Sequence, residues 1–299
     1  MPKSQIKIDS ITHYFEEDSD RVFARSELEL LFLENRSHWN LPQTMKSRAF
    51  IQMLLDRTKL DEIQLRSPHY FSLLRYRWDG KASPTAIALS IKKEKSFFSH
   101  ASAMWIHGLS DNHKHIFLNK EQSEKRRNLT QLSQEAIDRA FRTEQRCSKL
   151  TYRYEGATIT ILSGKHSGRL EVESAIAPSG HQVEVTSLER TLVDITVRPA
   201  YSGGVSSVLQ AFRSAKQRIS VTKIMAILRK LDHTYPYHQS IGLYLTRAGY
   251  ADADRMLARA SAINFDFYLC HGIKNPKFDP NWKIFYPRYL GRSSGTSPG

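Results

Sequence analysis

The spacing of hydrophobic residues changes within the first eighty residues, and this change constrains the fold more than any other feature of the sequence. Apolar side chains recur at helical spacing in three successive stretches, residues 8–16, 26–35 and 44–55. They then alternate with polar ones in residues 63–65 and 71–78, on either side of a turn signal at Ser67, Pro68 and His69. A spacing near 3.6 residues indicates a helix, and alternation indicates a strand. The sequence therefore predicts three helices followed by a β-hairpin.

Three helices and a hairpin, in this order, are typical of a winged helix-turn-helix, which we predict over residues 1–80. Ser26, with Glu29 three residues later, predicts a capping box for the second helix, and Thr44 predicts the cap of the third. We expect the third helix to be a recognition helix. Its expected buried stripe consists of Phe50, Ile51, Leu54 and Leu55.

The polar side chains around the third helix and the hairpin are the candidate DNA contacts. Arg48 suits a bidentate contact to guanine, and Gln43 or Gln52 suits adenine. Lys46 and Ser47 suit phosphates. The alternative is a solvated helix face without a ligand. For the hairpin arginines, DNA contact and simple exposure to solvent both stay open. We expect Phe71, Leu73 and Trp78 to pack on the helices. The full set is Gln43, Thr44, Lys46, Ser47, Arg48 and Gln52 on the helix, and Arg66, His69, Arg75 and Arg77 on the hairpin.

The charge balance supports a polyanionic partner. The 299 residues contain 44 Lys and Arg against 30 Asp and Glu, a formal net charge of +14. Such an excess suits a nucleic acid or an acidic protein, although a solvated basic surface gives the same count. The segment 120–150 adds basic residues that fit either a DNA backbone or an acidic partner. It includes Lys125, Arg126, Arg127, Arg139, Arg142, Arg146 and Lys149.

The remaining chain predicts a second domain over residues 84–290, mixed α/β and mainly helical, so that the whole chain is α+β. The Gly/Ser/Pro-rich residues 291–299 predict a disordered tail. Helical periodicity covers about 84–93, 99–107, 188–195, 204–217, 220–231, 237–248 and 252–259. Extended segments are predicted near 116–118, 151–162, 183–185, 265–269 and 282–286.

Several features predict a cytoplasmic protein that is not an enzyme. Cys147 and Cys270 lie far apart, outside any metal-ligand spacing, and no stretch approaches the roughly 20 apolar residues of a membrane span. We expect no metal, no cofactor and no membrane partner, because no phosphate-binding, dinucleotide or hydrolase motif occurs. His100 and His107 are interpreted as scaffold.

Two segments resemble the AbiE-type antitoxin family of bacterial phage-defence operons. One is residues 98–109, which contain Ser99, His100 and His107 through Leu109, and the other is residues 185–194, which contain the Glu189-Arg190-Thr191 run. With the basic winged-helix order, the resemblance covers roughly residues 20–250. It implies a protein that binds double-stranded DNA, represses its own operon and counteracts a nucleotidyltransferase-like toxin.

Two other functions stay open. A nuclease could use the winged helix to position DNA, with Glu171, Glu173 or Asp194 as candidate carboxylates. However, the spacing of Arg190 and Asp194 predicts an ordinary helical ion pair, and Glu189 occupies a capping position. A protein-interaction adaptor without a DNA role is the other alternative.

Overall fold

A computed structural model describes residues 6–124 and 131–291 of the chain. The described residues form eleven α-helices, two 3-10 helices and twelve strands in three sheets. The helices are α1 Ile8–Glu16, α2 Arg25–Asn35, α3 Ser47–Arg57, α4 Pro84–Ile91, α5 Ala101–Ile106, α6 Gln134–Phe141, α7 Leu188–Val197, α8 Val205–Ala215, α9 Val221–Leu231, α10 Tyr237–Arg247 and α11 Asp252–Arg259. The strands are β1 Val22–Phe23, β2 Leu60–Leu65, β3 Leu73–Trp78, β4 Phe97–Phe98, β5 His115–Glu121, β6 Thr151–Tyr154, β7 Ala157–Gly164, β8 Val172–Ile176, β9 Gln182–Thr186, β10 Phe267–Tyr268, β11 Pro276–Asp279 and β12 Ile284–Pro287.

The chain divides into two compact units. Unit 1 contains residues 1–94, 149–160 and 179–181, and unit 2 contains residues 95–148, 161–178 and 182–299. Each unit mixes helices with strands, so the fold is α and β together. The basic run at residues 125–127 and residues 292–299 of the predicted tail lie outside the described residues.

Unit 1 is built on a small antiparallel sheet with the strand order β1-β3-β2. The predicted hairpin is present, and its register pairs Leu60 with Trp78 and Leu65 with Leu73. Helices α1, α2 and α3 share one core with this sheet. Phe15 and Trp78 stack at the centre of that core with ring centroids 5.0 Å apart, and both side chains are essentially unexposed. Burial of such aromatic area is the main stabilising contribution in a unit of this size.

The two helix caps predicted for this unit are wrong. Helix α2 begins at Arg25, where the Glu27 carboxylate accepts the backbone N–H of Ala24 at 2.7 Å, so Ser26 lies inside the first turn. Helix α3 begins at Ser47, and its cap residue Lys46 makes no side-chain capping bond. Thr44 therefore lies outside the helix. A carboxylate on the first turn can satisfy a free N–H as well as a hydroxyl cap does, and this displaced the predicted start of α2.

Unit 2 contains a mixed sheet in which β4 occupies a central place. Strand β4 runs antiparallel to β5 and parallel to β9, and β8 closes that edge of the sheet antiparallel to β9. The last residues of β7 lie on the other side of β5. Strand β4 has only two residues, Phe97 and Phe98, and both are fully buried.

A layer of helices forms the main core of unit 2. Helix α7 packs against α8, α9 and α10, and the Ser187 hydroxyl caps its first turn by accepting the N–H of Arg190. Gly242 of α10 lies against the indole ring of Trp282, which leaves no room for a methyl group. The last three strands form a small sheet with the order β10-β12-β11.

Candidate functional site

Helix α3 presents a polar face to solvent and buries the opposite face. Arg48 and Gln52 are exposed one turn apart, whereas Phe50 and Leu54 are completely buried. Arg48 has no hydrogen bond or ion pair to any described residue, and Gln52 donates to Asp56 at 2.8 Å. Residues four apart lie on one side of a helix, so Arg48 and Gln52 can reach the same ligand.

The other predicted contacts of this helix surround its N-terminus. Gln43, Thr44 and Lys46 are exposed in the segment that leads into α3, and Ser47 is half-buried at its first position. The free N–H groups of a helix N-terminus attract anions such as phosphate. The six predicted residues therefore lie between positions 43 and 52, and all except the half-buried Ser47 are exposed.

The connection between α2 and α3 is longer than the usual turn of three or four residues in a helix-turn-helix. It runs from residue 36 to 46, and Trp39 and Leu41 anchor it in the core of unit 1. Trp39 stacks on Phe50 of α3 with ring centroids 5.7 Å apart. This packing fixes α3 relative to the sheet in spite of the long connection.

The loop of the β2–β3 hairpin carries exposed polar and apolar side chains. Arg66 and His69 are exposed, and neither side chain forms a hydrogen bond or ion pair with a described residue. Phe71 is 95% exposed, so its predicted packing on the helices is wrong. The strand begins only at Leu73, and Phe71 therefore belongs to the loop. Trp78, by contrast, is fully buried as predicted.

The guanidinium groups of two hairpin arginines already form hydrogen bonds or ion pairs within unit 1. Arg75 donates to the backbone oxygens of Ser90 at 3.2 Å and Leu74 at 2.8 Å. Arg77 forms ion pairs with Asp61 at 3.0 Å and with a carboxylate in the β6–β7 turn, and only 18% of its side chain is exposed.

The second carboxylate partner of Arg77 belongs to a small polar network. Glu155 accepts from Arg77 at 3.1 Å and from the Tyr154 hydroxyl at 2.7 Å. The hydrogen bond from Tyr154, followed by that from Arg77, lowers the pKa of Glu155. Arg77 therefore uses its guanidinium group in a contact with a residue about eighty positions later in the chain.

In unit 2, the two histidines of the 98–109 segment flank α5 and have different environments. His100 is buried, and its Nδ1 lies 2.9 Å from the Ser99 hydroxyl. Burial lowers the pKa of His100 to about 4, a shift that Asp194 opposes and Arg198 reinforces. Its backbone has φ 54° and ψ −127°, a conformation that costs about 1–3 kcal/mol in a residue other than glycine.

The second histidine connects the two segments that carry the family resemblance. His107 Nε2 lies 2.7 Å from the backbone oxygen of Thr186. In the sheet, Phe98 pairs directly with Val185. Residues 98–109 and 185–194 therefore form one structural element, although some 80 residues separate them in the chain.

The predicted pair of Arg190 and Asp194 is confirmed, and it is deeply buried. Arg190 Nε donates to Asp194 Oδ1 at 2.8 Å, and 5% and 8% of the two side chains are exposed. Arg190 also donates to the Leu170 oxygen at 2.9 Å and to the Ser167 hydroxyl at 3.3 Å. A buried arginine with several acceptors is held rigidly.

The carboxylates considered for a nuclease are dispersed or paired with lysine. Lys223 lies 2.9 Å from Glu171 and 3.3 Å from Glu189, and the hydrogen bond from Lys223 is the main cause of the lowered pKa of Glu171. Glu173 is exposed on β8. Within residues 6–124 and 131–291, no three His, Cys, Asp or Glu side chains are grouped so as to hold a metal ion.

The fold places this chain among mixed α/β proteins, and one solved structure is similar over nearly its whole length. No protein-family model and no curated protein sequence matches the chain. The crystal structure of the RV2827C protein from Mycobacterium tuberculosis matches with a TM-score of 0.57. The match covers 93% of this chain and 90% of that chain at 11% sequence identity. This likeness concerns the fold. In the part of the chain that is described, no helix has the length and apolar character needed to cross a membrane.

Proposed function

We propose that this protein is a DNA-binding transcriptional regulator that reads its operator with helix α3. The observation that carries the proposal is the exposed pair of Arg48 and Gln52, held on one face of a helix whose other face is buried. Arginine pairs with guanine and glutamine with adenine in the major groove, which is wide enough to admit a helix. The side chains of the α3 N-terminus would contact the flanking phosphates.

The element order of unit 1 supports a winged helix-turn-helix. Helices α1, α2 and α3 precede the β2–β3 hairpin, and β1 adds the third strand to that sheet. The hairpin loop would act as the wing. Arg66 and His69 would follow the phosphate backbone, and the exposed Phe71 has the character of an apolar wedge for a minor groove.

Arg75 and Arg77 do not belong to the interface that we propose. Their guanidinium groups already donate to carbonyl and carboxylate oxygens within unit 1. Breaking those contacts to bind DNA would cost more than an exposed arginine gains from a phosphate. Their role is to hold the hairpin in place.

The AbiE-type resemblance supplies the cellular role within this proposal. The protein would occupy an operator upstream of its own operon, block transcription and counteract a nucleotidyltransferase-like toxin. The direct pairing of Phe98 with Val185 supports the resemblance, because the two similar segments act as one structural element. The net charge of +14 favours salt-dependent binding to any duplex, to which α3 would add sequence preference.

The test is fluorescence anisotropy with a duplex from the protein's own upstream region and a scrambled duplex of equal length. The variants are Arg48→Ala and Gln52→Ala, and Arg57→Ala is the matched control. Arg57 is exposed on the same helix but nine positions from Arg48, half a revolution away.

We expect Arg48→Ala to lower the preference for the upstream duplex about tenfold or more, since a bidentate base contact is worth about 1–3 kcal/mol. Arg57→Ala should leave that preference unchanged. A preference that survives both Arg48→Ala and Gln52→Ala would refute the assignment of α3 as the recognition helix.

A further inference from the structure

Unit 2 contains a polar cleft that the DNA-binding proposal does not use. Its volume is about 760 Å³, within the range of about 300–1,000 Å³ found for small-molecule sites. The walls come from the start of α5, the segment 139–148, the end of β7, helix α7 and the connection between α9 and α10. All these segments belong to one compact unit.

The cleft has an excess of positive charge. Five lysine and arginine side chains line it, against the two carboxylates Glu144 and Asp194. Among described residues, Arg139, Arg146 and Arg198 pair with no carboxylate, and all three are exposed. Arg198 lies over the ring of Tyr201, 5.8 Å from its centroid. Unpaired guanidinium groups that converge on a concave surface are suited to bind phosphate.

The cleft floor offers hydrogen-bonding atoms that have no partner within the described chain. Asp194 Oδ1 is bound by Arg190, whereas its Oδ2 is buried and accepts no hydrogen bond. His233 Nε2 is likewise buried and without a partner. An unsatisfied buried acceptor is costly, so a ligand that donates to it gains affinity.

Three histidines line the cleft, His100, His233 and His271. Burial lowers the pKa values of His100 and His233 to about 4. Burial also lowers the pKa of His271, so this ring is neutral at physiological pH, as the other two are. The aromatic rings of Tyr201, Tyr235 and Tyr237 also line the cleft. Neutral imidazoles and tyrosine rings provide surfaces for a planar heterocycle and add no competing charge.

From these features we propose that the cleft binds a nucleoside phosphate. The phosphate would meet Arg198 together with the exposed arginines at the mouth, and an amino group of the base would donate to Asp194 Oδ2. This site is independent of the proposed DNA interface, because every residue that lines it belongs to unit 2.

The test is isothermal titration calorimetry on the full chain at physiological ionic strength. The probes are AMP, GMP, CMP and UMP, their triphosphates, inorganic phosphate, and a short single strand with a 5′-phosphate. Three substitutions accompany the native protein: Arg198→Ala and Asp194→Asn in the cleft, and Arg213→Ala as the matched control. Arg213 is exposed on α8 and does not line the cleft.

We expect at least one nucleotide to bind with a Kd below about 1 mM, more tightly than inorganic phosphate does. Arg198→Ala should weaken that binding about tenfold or more, and Asp194→Asn should change the order of preference among the bases. Arg213→Ala and the interface variant Arg48→Ala should leave it unchanged. Arg198 is exposed, so its variant reports on binding even where Asp194→Asn disturbs folding.

Four results would overturn the proposal. The first is no heat from any nucleotide, and the second is inorganic phosphate binding as tightly as the nucleotides. The third is binding confined to the 5′-phosphorylated strand, which would make the cleft a site for a nucleic acid end. Nucleotide binding that responds to Arg48→Ala and not to Arg198→Ala would also contradict it, by locating the nucleotide on α3.

Discussion

Removal of Arg190 should destabilise unit 2 far more than removal of an exposed arginine. In Arg190→Met, the Asp194 carboxylate loses the donor at 2.8 Å and stays buried, with 8% of its side chain exposed. Breaking a buried pair by deleting one partner costs about 3–5 kcal/mol. For a unit of this size, such a loss corresponds to a Tm lower by roughly 6–20 °C.

The assay is guanidinium unfolding of the full chain, followed by tryptophan fluorescence and circular dichroism. The control Arg213→Met removes an exposed arginine and should change the free energy of unfolding by less than about 0.5 kcal/mol. The double variant Arg190→Met/Asp194→Leu should recover most of the loss, because two apolar side chains leave no buried charge. A single-variant loss below about 1 kcal/mol would refute the reasoning, since the carboxylate would then be solvated or paired elsewhere.

Three further predictions follow from named contacts. Gly242→Ala should lower the free energy of unfolding by about 1–3 kcal/mol in a urea titration, because the added methyl group overlaps the Trp282 ring; an unchanged midpoint would contradict that packing. Phe71→Ala should leave the urea midpoint unchanged and weaken binding to the upstream duplex, because this ring is exposed. Trp78→Ala, by contrast, should lower the free energy of unfolding by about 3–5 kcal/mol. A loss of stability in Phe71→Ala would mean that this ring is packed. Stability should fall as the pH drops from about 7 towards 4, because the folded pKa of His100 near 4 lies below its ordinary 6.5 and the unfolded chain takes up the proton first. Burial also lowers the pKa values of His233, His238 and His271, so His100→Asn should remove part of the pH dependence of the urea midpoint. An unaltered slope would argue against a buried neutral His100.

The helices were predictable where the periodicity is local. Helices α8, α9, α10 and α11 begin and end within about two residues of the periodic segments. Amphipathic spacing over three turns depends on nearby residues alone, and the core of unit 2 only fixes which face is buried. Strand β4 was not predictable, because two phenylalanines carry no period and their pairing with β5 and β9 is set by distant segments.

The candidate sites also differ in how far the local sequence predicts them. The exposed face of α3 follows from its buried stripe, so Arg48 and Gln52 could be selected from the sequence. The hairpin arginines could not be separated from one another, because Arg77 pairs with Glu155 almost eighty residues later. The cleft in unit 2 was missed entirely. Its groups lie between positions 100 and 271 with no local spacing that marks them, and only the fold brings His100, Asp194 and His233 to one cavity.

Recognition of DNA by unit 1 is the central claim, and the ratio of two dissociation constants tests it most directly. The full chain would be titrated with its upstream duplex and with the scrambled duplex at physiological salt. We expect the upstream duplex to bind at least about 10³-fold more tightly than the scrambled duplex. Equal constants for the two duplexes, both weakening steeply with salt, would contradict it and leave only non-specific attraction from the +14 net charge.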